Sequence, residues 1–399
     1  MTGNNLRPLD GITVVSLEQA VAAPFCSRHL ADLGARVIKI ERPGEGDFAR
    51  GYDKRARGLS SYFVWANRSK ESLTLDVKHP DGQEILFKLL EKADVLIQNL
   101  APGAAQRLGL SYDALQDRFP GLILCNISGY GAGGPYEKKK AYDLLIQSEA
   151  GFLSVTGKPG PDEMIKAGIS IADISAAIHA CNSILAALLL RGRTGRGSVL
   201  DISMLETMVE WMGSPLYYSM DGASPPPRAG AAHATIYPYG PFPVGEEGMV
   251  MLGLQNEREW AAFCTLVLQL PELREDQRFA SNYARSDNRA ALREIIVETF
   301  ARLGKAEVMS RMEQAGIASA SVNKMQDIWN HKQLQERQRW VEVGSPAGPL
   351  PALLPPGTSN AFSPRMDPIP ALGADSDNIL AELGYSADRI AGLRQQETI

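Results

Sequence analysis

Short runs of β-branched and other apolar residues alternate with segments of helical spacing through the first third of the chain. ITVVSL at 12–17 and RVIKI at 36–40 have the pattern of strands, and the apolar positions at 25–33 between them follow helical spacing. This pattern predicts a βαβ unit. The alternation continues with strands predicted at 73–75, 95–98 and 122–128 and helices at 82–92 and 112–119. We therefore predict an α/β fold that begins with a Rossmann-like, doubly wound parallel sheet.

The pattern changes in the second half of the chain. Residues 175–191 (SAAIHACNSILAALLLR) are apolar nearly all round, which predicts a buried helix. Residues 219–243 are rich in Pro, Gly and small side chains, as linkers are, and the helical patterns after them indicate a smaller α+β module. The predicted organisation has four parts: a large domain at 1–205, a linker at 206–228, a small α+β domain at 229–325, and a Pro-rich return segment at 326–399 that packs on the large domain.

The composition is consistent with two domains and excludes several kinds of partner and site. The chain has 399 residues, more than the roughly 300 at which a single hydrophobic core stops growing. Its net charge of −5 provides no basic field, so nucleic acid is not an expected partner. The longest apolar runs are far shorter than the ~20 residues of a membrane span, so no membrane partner is expected either. The four cysteines lack CxxC spacing and the N-terminus lacks a signal-peptide pattern, so we expect a cytoplasmic protein with reduced thiols. The five dispersed histidines lack ligand spacing, and no metal site is expected.

Asp173 is an acid among apolar residues at the start of the predicted buried helix, in ISIADISAAIHA. One hypothesis is structural: Asp caps helices by accepting hydrogen bonds from the first free N–H groups. The other is chemical, because a carboxylate partly removed from water at a helix N-terminus can attack a thioester carbonyl. The two hypotheses are compatible, and the sequence does not decide between them.

A nucleotide ligand is indicated by residues at the ends of the predicted strands. Arg42 and Glu41 follow the second strand, where nucleotide-binding folds contact the ribose or its phosphate. The chain reads EQAVAAPFCSRHL after the first strand rather than GxGxxG, so an NAD-dependent oxidoreductase loses its main support. Gly-rich turns in 129–135 could bring backbone N–H groups close to an acyl group or a phosphate. Scattered cations could serve a ligand with several phosphates: Arg42, Lys70, Arg107 and the run at 138–140.

Six segments occur in order over almost the whole chain: LDGITVVSLEQAVAAPFCSRHLADLGARVIKIERPGEGD, SLTLDVKHPDG, ADVLIQNLAPGAAQRLGL, AYDLLIQSEAGFLSVTG, ISIADISAAIHA and RTGRGSVLDISMLE. Together they resemble the family III CoA-transferases, the group of the formyl-CoA and carnitine CoA-transferases. The resemblance implies an interlocked homodimer in which each subunit has a Rossmann-like large domain, a smaller domain and long linkers that thread through the partner. The Pro-rich segments suit such linkers.

The resemblance also assigns roles to individual residues. It makes Asp173 the nucleophile. Arg42 would contact the adenosine phosphate region of CoA, while Ala20 and Ala22 would line the CoA cleft with their backbone. The remaining residues would support the nucleotide and diphosphate: Lys70, Asn99, Arg107 and Lys140.

Two departures narrow the reaction. The related racemases of the family use a His before the aspartate at position 143, but this chain has Tyr142, so a 2-methylacyl-CoA racemase lacks one of its bases. Formyl and oxalyl members carry Gln where this chain has Val21, which disfavours oxalate. The segment HATIYPYGPFPVGEEGMVMLGLQNEREW is most similar to members acting on dicarboxylates such as succinate, mesaconate and itaconate. We expect Tyr142 and the small domain to help bind the free carboxylate of such an acid.

The implied reaction moves CoA from a donor, expected to be succinyl-CoA, to an acid such as itaconate or mesaconate through an aspartyl-CoA thioester at Asp173. The CoA thioester is a substrate, and no cofactor or metal is expected. The N–H groups of turns at 129–134 are candidates for stabilising the oxyanions. Three alternatives remain: a racemase of the same fold, an NAD-dependent oxidoreductase, and a CoA-binding protein without activity.

Overall fold

The structure is a computed structural model that describes residues 6–246 and 248–399. The chain divides into two compact units. Unit 1 comprises the residues up to 151 together with 167–213 and 334–399, and unit 2 comprises 152–166 and 214–333. The segment 152–166, which the sequence placed in the large domain, therefore belongs to unit 2.

The strands in chain order are β1 (Thr13–Leu17), β2 (Arg36–Glu41), β3 (Lys70–Thr74), β4 (Val95–Gln98), β5 (Ile123–Ser128), β6 (Val199–Ser203), β7 (Tyr239–Pro243), β8 (Met249–Gly253), β9 (Ala318–Ser321), β10 (Trp340–Val343) and β11 (Leu350–Leu353). The α-helices are α1 (Ala22–Asp32), α2 (Ser61–Ala66), α3 (Pro80–Leu90), α4 (Ala104–Arg107), α5 (Tyr112–Leu115), α6 (Asp143–Glu149), α7 (Phe152–Val155), α8 (Ile171–Thr194), α9 (Met204–Trp211), α10 (Gly213–Tyr218), α11 (Glu257–Ala262), α12 (Asn282–Asp287), α13 (Arg289–Ala301), α14 (Lys305–Gln314), α15 (Met325–Trp329), α16 (Lys332–Glu336), α17 (Ser376–Glu382) and α18 (Ala387–Gln395).

Unit 1 is built on a six-stranded sheet with the order β3-β2-β1-β4-β5-β6, in which every neighbouring pair is parallel. This confirms the predicted α/β class and its parallel sheet. In the central strands, Val15 pairs with Ile38 on one side and with Leu96 on the other. The strand order reverses direction between β1 and β4, and in such sheets ligands bind beside that point, at the carboxyl ends of the strands.

The core of unit 1 also includes the C-terminal helices. Leu380 of α17 and Leu393 of α18 are fully buried in the same apolar cluster as Val15 and Ile38. The end of the chain is hydrogen-bonded to the loop after β3: the backbone N–H of Asp76 donates to the carbonyl of Thr398. The C-terminal segment therefore completes the sheet's apolar packing on the side of the predicted nucleotide site.

Helix α8 is buried over only part of its length, which corrects the prediction of a helix buried all round. Its residues up to Ala187 supply the buried face, and the helix packs against α1 and α9. Leu189 and Leu190 near its end are 71% and 54% exposed. The helix is long and apolar enough to cross a membrane by composition, but a core helix of a soluble protein meets the same criteria.

Unit 2 has a three-stranded antiparallel sheet in the order β7-β8-β9. Its core is aromatic, with Trp260, Phe263, Phe279 and Phe300 buried together. Neighbouring rings meet edge to face, as for Phe263 and Phe300, an arrangement that aromatic pairs favour. Unit 2 therefore has a hydrophobic core of its own.

Candidate active site

A cleft of about 930 Å³ lies at the carboxyl ends of β1, β2, β3 and β4, within unit 1. It is the place where the strand order predicts a ligand site. Four exposed cations line it: Arg42, Lys78, Arg107 and Arg394. Apolar walls come from Ile40, Leu75 and Leu100. The cleft thus combines positive charge with apolar surface, as a site for a nucleotide with several phosphates requires.

The loop after β1 forms one edge of this cleft and is held by two side chains. The backbone N–H of Gln19 donates to the Asn99 Oδ1 at 2.9 Å, and the Asn99 amide donates back to the Gln19 carbonyl at 2.9 Å. Ala20 has a φ of 64°, a left-handed conformation that costs a non-glycine residue on the order of 1 kcal/mol. Its N–H donates to the Asp47 carboxylate at 3.1 Å. Asn99 therefore shapes the cleft through the backbone, and Ala22 begins α1 as a buried residue.

Beneath this loop lies the buried ionic cluster, which consists of Glu18, Lys39, Asp47 and Lys70. The Lys70 ammonium is 2.6 Å from Glu18, and the Lys39 ammonium is 2.8 Å from Asp47 and 3.3 Å from Glu18. The lysine and Glu18 side chains are completely buried. Burial by itself would raise the pKa of Glu18, but the charges of Lys70 and Lys39 outweigh it and lower the pKa to about 2. Glu18 is therefore ionised at neutral pH.

The cluster corrects the role predicted for Lys70. Its ammonium donates to Glu18, to the Pro24 carbonyl and to the Asn67 side chain, which uses all three of its protons. A ligand phosphate cannot reach it. Lys70 lies at the start of β3, not at the carboxyl edge of the sheet where the cleft lies. Its hydrogen bonds to Glu18 and Pro24 stabilise the loop after β1.

The other predicted cations lie in different places. Arg42 and Arg107 line the cleft, and the Arg42 side chain is 60% exposed with one weak ion pair, 3.7 Å from Glu45. Lys140 is exposed but is not among the cleft residues. Lys78 and Arg394 line the cleft and were missed by the sequence analysis. Lys78 could have been found, because it follows β3 in LDVKHP, whereas no local pattern marks Arg394 near the C-terminus.

Asp173 is the third residue of α8 and does not act as its N-cap. Ser170 occupies the N-cap position without a side-chain cap bond. The cap comes from Asp143 of α6, whose Oδ1 accepts from the Ala172 N–H at 2.8 Å and from the Asp173 N–H at 3.2 Å. Gln147 fixes Asp143 in turn, with its amide 2.6 Å from the Asp143 Oδ2. We call Asp143, Gln147 and Asp173 the α8 terminus.

This arrangement leaves the Asp173 carboxylate without a hydrogen bond to any residue that the structure describes. It is partly buried, and burial together with the nearby negative charge of Asp143 raises its pKa to about 7. A carboxylate that is neither paired nor fully hydrated is a better nucleophile than one in a salt bridge. The α8 terminus thus frees Asp173 from the capping role and leaves it available for chemistry.

Two phenols lie in the neighbourhood of Asp173 and Asp143, those of Tyr52 and Tyr142. Burial raises the pKa of Tyr52 to about 12, and the nearby charge of Asp173 adds to the rise, so its hydroxyl stays protonated at neutral pH. Tyr142 adjoins Asp143 and is 70% exposed. Both are hydroxyl donors, and no motif in the sequence pointed to Tyr52.

The Gly-rich turn at 129–134 is already partly hydrogen-bonded. The N–H of Gly131 donates to Ser128 at 2.9 Å, and the N–H of Ala132 donates to Asp201 at 2.7 Å. These two N–H groups cannot bind an oxyanion without losing their present acceptors. Fewer N–H groups of the turn at 129–134 are therefore available for that role than the sequence predicted. Within 6–246 and 248–399, no three His, Cys, Asp or Glu residues form a group that could hold a metal ion.

Comparisons with known proteins point to one enzyme family. The model of CoA-transferase family III matches residues 9–376. The chain is 30% identical over 394 residues to the succinyl-CoA:glutarate CoA-transferase of Homo sapiens, which covers 98% of this chain and 89% of that protein. It is 32% identical over 349 residues to the succinyl-CoA:mesaconate CoA-transferase of Haloarcula hispanica, covering 85% and 86%. A CAIB/BAIF family protein from Brucella suis has a similar structure, with a TM-score of 0.84, 32% identity, and coverage of 94% and 99%.

Proposed function

The chain belongs to CoA-transferase family III, and from this membership we propose that it moves CoA from succinyl-CoA to a small dicarboxylic acid. Relatives named for this donor and for glutarate or mesaconate as the acid support the proposal. Itaconate and mesaconate are the acceptors that we expect from the sequence, and glutarate joins them as an acid to test. The CoA thioester is a substrate in this proposal, and no cofactor takes part.

The proposed mechanism passes through Asp173. A carboxylate oxygen of Asp173 attacks the thioester carbonyl of succinyl-CoA, and the C–S bond breaks to give a succinyl-aspartyl anhydride and CoA thiolate. The thiolate attacks the aspartyl carbonyl, which forms an aspartyl-CoA thioester and releases succinate. The acceptor carboxylate then attacks this thioester, and the released thiolate takes the acyl group from the second anhydride. One thioester replaces another, so no net bond energy has to be supplied.

The observation that carries this mechanism is the state of Asp173. Its carboxylate has no cation and no hydrogen-bond donor among the described residues, while Asp143 performs the capping that would otherwise occupy it. The hydroxyls of Tyr52 and Tyr142 are donors near this carboxylate that could stabilise a developing oxyanion. Arg42, Lys78, Arg107 and Arg394 provide the charge that a nucleotide with three phosphates needs.

We also propose that the enzyme works as a homodimer in the cytoplasm. Unit 1 exposes several large apolar side chains, among them Leu189, Leu190, Val199 and Trp211. Exposed apolar patches of this kind favour a protein interface. The four cysteines are free and buried, which suits a reducing compartment. Light scattering would test the dimer, because a monomeric mass at micromolar concentration would contradict it.

The test of function is a screen of succinyl-CoA against a panel of acids, read by mass spectrometry of the acyl-CoA products. We expect product with C4 and C5 dicarboxylates and little with acetate or butyrate. Equal use of monocarboxylates would contradict the dicarboxylate proposal. Exchange of an α-proton of a 2-methylacyl-CoA with deuterated water, in the absence of an acceptor acid, would instead identify a racemase.

A further inference from the structure

Unit 2 contains a cavity of about 920 Å³ that is separate from the cleft of unit 1 and that lies entirely within residues of unit 2. Three arginines line it: Arg228 from the segment before β7, and Arg289 and Arg293 from α13. Arg289 and Arg293 are four residues apart and therefore share one face of the helix. Arg293 is exposed and Arg228 and Arg289 are partly buried, so the three side chains line an open cavity.

None of the three arginines has a carboxylate partner within 4.0 Å among the residues the structure describes. A neighbouring arginine of unit 2 differs, because Arg285 is paired with Glu257 at 2.7 Å. One acid, Asp287, also lines the cavity, but it forms no ion pair with the arginines in the described part of the chain. Three cations and one acid give the lining of the cavity a net positive charge, which favours an anionic ligand.

The guanidinium groups are held in place by backbone carbonyls, which leaves other N–H donors of each group available. Arg289 donates to the carbonyls of Ser286 and Ala234 at 3.2 and 2.9 Å, and Arg293 donates to that of Pro241 at 3.1 Å. Arg228 donates through Nη2 to the Gly160 carbonyl, while its Nη1 is buried and has no partner within the described structure. A buried guanidinium nitrogen without an acceptor costs free energy that an anionic ligand would recover.

Tyr237 adds a second polar group without a partner. Its side chain is 4% exposed, and its hydroxyl lacks a hydrogen-bond partner among the described residues. Arg293 lies close enough to oppose the rise in pKa that burial causes, although no hydrogen bond of ordinary geometry joins the two. The Arg289 guanidinium lies 5.3 Å from the centre of the Tyr237 ring. The phenol and two guanidiniums therefore converge on one place.

Apart from the arginines, the lining combines polar side chains, among them Thr235, Asn282 and Ser286, and the rings of Tyr218 and Tyr283 with an apolar part. Phe242 is buried, and alanine and proline side chains from 227–234 complete the wall. An inorganic phosphate would leave this surface in contact with water, whereas a short carbon chain would cover it. Guanidinium forks bind carboxylates in a bidentate manner, and two carboxylates would match the separate arginines.

We propose that this cavity of unit 2, lined by Arg228, Arg289 and Arg293, binds a small dicarboxylate as the free dianion. The choice of acid rests on the proposed function, but the binding itself does not depend on turnover. The site would give unit 2 a means of selecting dianionic acids over monocarboxylates. Its ligand is recognised by two negative charges joined by a short apolar chain.

The test uses isothermal titration calorimetry of the full-length protein with glutarate, in the absence of CoA. We expect glutarate to bind at least tenfold more tightly than its monomethyl ester, because the ester lacks the second charge. Arg289→Gln combined with Arg293→Gln should lower glutarate affinity at least tenfold. Arg302→Gln removes an exposed arginine at the end of the same helix and should leave the affinity unchanged. Arg293→Gln alone keeps the test valid if the double variant does not fold.

The outcomes separate this inference from the proposed function. Glutarate binding that resists the arginine substitutions, or phosphate binding more tightly than glutarate, would overturn the inference. The double arginine variant could also lose the dimer in light scattering while its glutarate affinity stays unchanged. That result would show that the cavity holds a segment of a second copy, and it would overturn the inference too. If glutarate binds through the arginines but succinyl-CoA gives no transfer to any acid, the proposed function fails while the inference stands.

Discussion

Two carboxylates of unit 1, one buried and one partly buried, have opposite properties. Glu18 lies in the buried ionic cluster beside two lysines, and its pKa is lowered to about 2. Asp173 lies at the α8 terminus beside another acid, and its pKa is raised to about 7. Burial disfavours the charged form in both, so the neighbouring charges decide the outcome. A carboxylate that is paired with cations stabilises the fold, whereas a carboxylate without a cation is available for reaction.

The largest expected effect comes from removing the unmatched carboxylate. Asp173→Asn keeps the shape but cannot form an anhydride, so transferase activity should fall by about three orders of magnitude or more. The initial rate with succinyl-CoA and glutarate measures it. Activity near the native level would show that Asp173 is not the nucleophile.

The same variant should be more stable than the native protein above neutral pH. A folded pKa of about 7 against an ordinary value of 3.8 means that ionised Asp173 destabilises the folded state. The penalty is fully present above pH 7 and disappears as the pH falls toward 4. Urea unfolding at pH 8 and pH 4 should therefore show a gain for the Asn variant at pH 8 only.

A substitution in the buried ionic cluster should instead lower the stability of the protein. Lys70→Met leaves Glu18 with only part of its compensation in a completely buried place, which should cost about 3–5 kcal/mol in the free energy of unfolding. Adding Glu18→Gln should recover part of the loss. Because the pKa of Glu18 is lowered, its contribution is present above about pH 4.5 and is lost as the pH falls toward 2. A phosphate-binding Lys70 would instead raise the KM for succinyl-CoA without a loss of stability.

An exposed cation of the cleft should behave unlike the buried lysine. Arg42→Ala removes a guanidinium that can bind phosphate through two N–H groups, so the KM for succinyl-CoA should rise by about 10–100-fold with a smaller change in kcat. The melting temperature should stay within experimental error of the native value. Arg258→Ala, which removes an exposed arginine of unit 2, is the control. An unchanged KM would remove Arg42 from the site.

The smallest expected effect concerns the neighbour that raises the pKa of Asp173. Asp143→Asn retains an oxygen to cap α8 but loses the negative charge beside Asp173. The acid limb of the pH profile of kcat/KM, which we expect near pH 7, should move to lower pH. Asp117→Asn, an exposed acid elsewhere in unit 1, should leave the profile unchanged. A profile that did not move would mean that burial alone raises the pKa of Asp173.

Local patterns were sufficient for most of the large sheet. Five strands that were predicted, at 12–17, 36–40, 73–75, 95–98 and 122–128, overlap β1, β2, β3, β4 and β5. Strands buried on both faces are continuous apolar runs, and such runs are readable without knowledge of their neighbours. Helix α8 was harder, since an apolar helix can be covered by its own core or by another protein, and its sequence is the same in both cases.

The candidate site was predictable only in part, because a local sequence does not show which distant residues pack against it. Asp173, Arg42, Asn99 and Arg107 lie in a named motif or at a strand end, and the structure places the last three at the cleft. Arg394 reaches the cleft from a helix at the far end of the chain, and Lys70 looks like any other cation in the sequence. Whether a lysine meets a ligand or a buried acid depends on which residues fold against it.

The sequence by itself determined the α/β class, the order of the strands along the chain and the family membership, because these follow from periodicity and from motifs in continuous segments. The tertiary structure decided which charges meet. It set Glu18 between Lys39 and Lys70, gave the capping of α8 to Asp143, and brought Arg228 to the cavity that α13 lines. Electrostatic interactions depend on distance and burial, and residues far apart in the chain acquire both only when the chain folds.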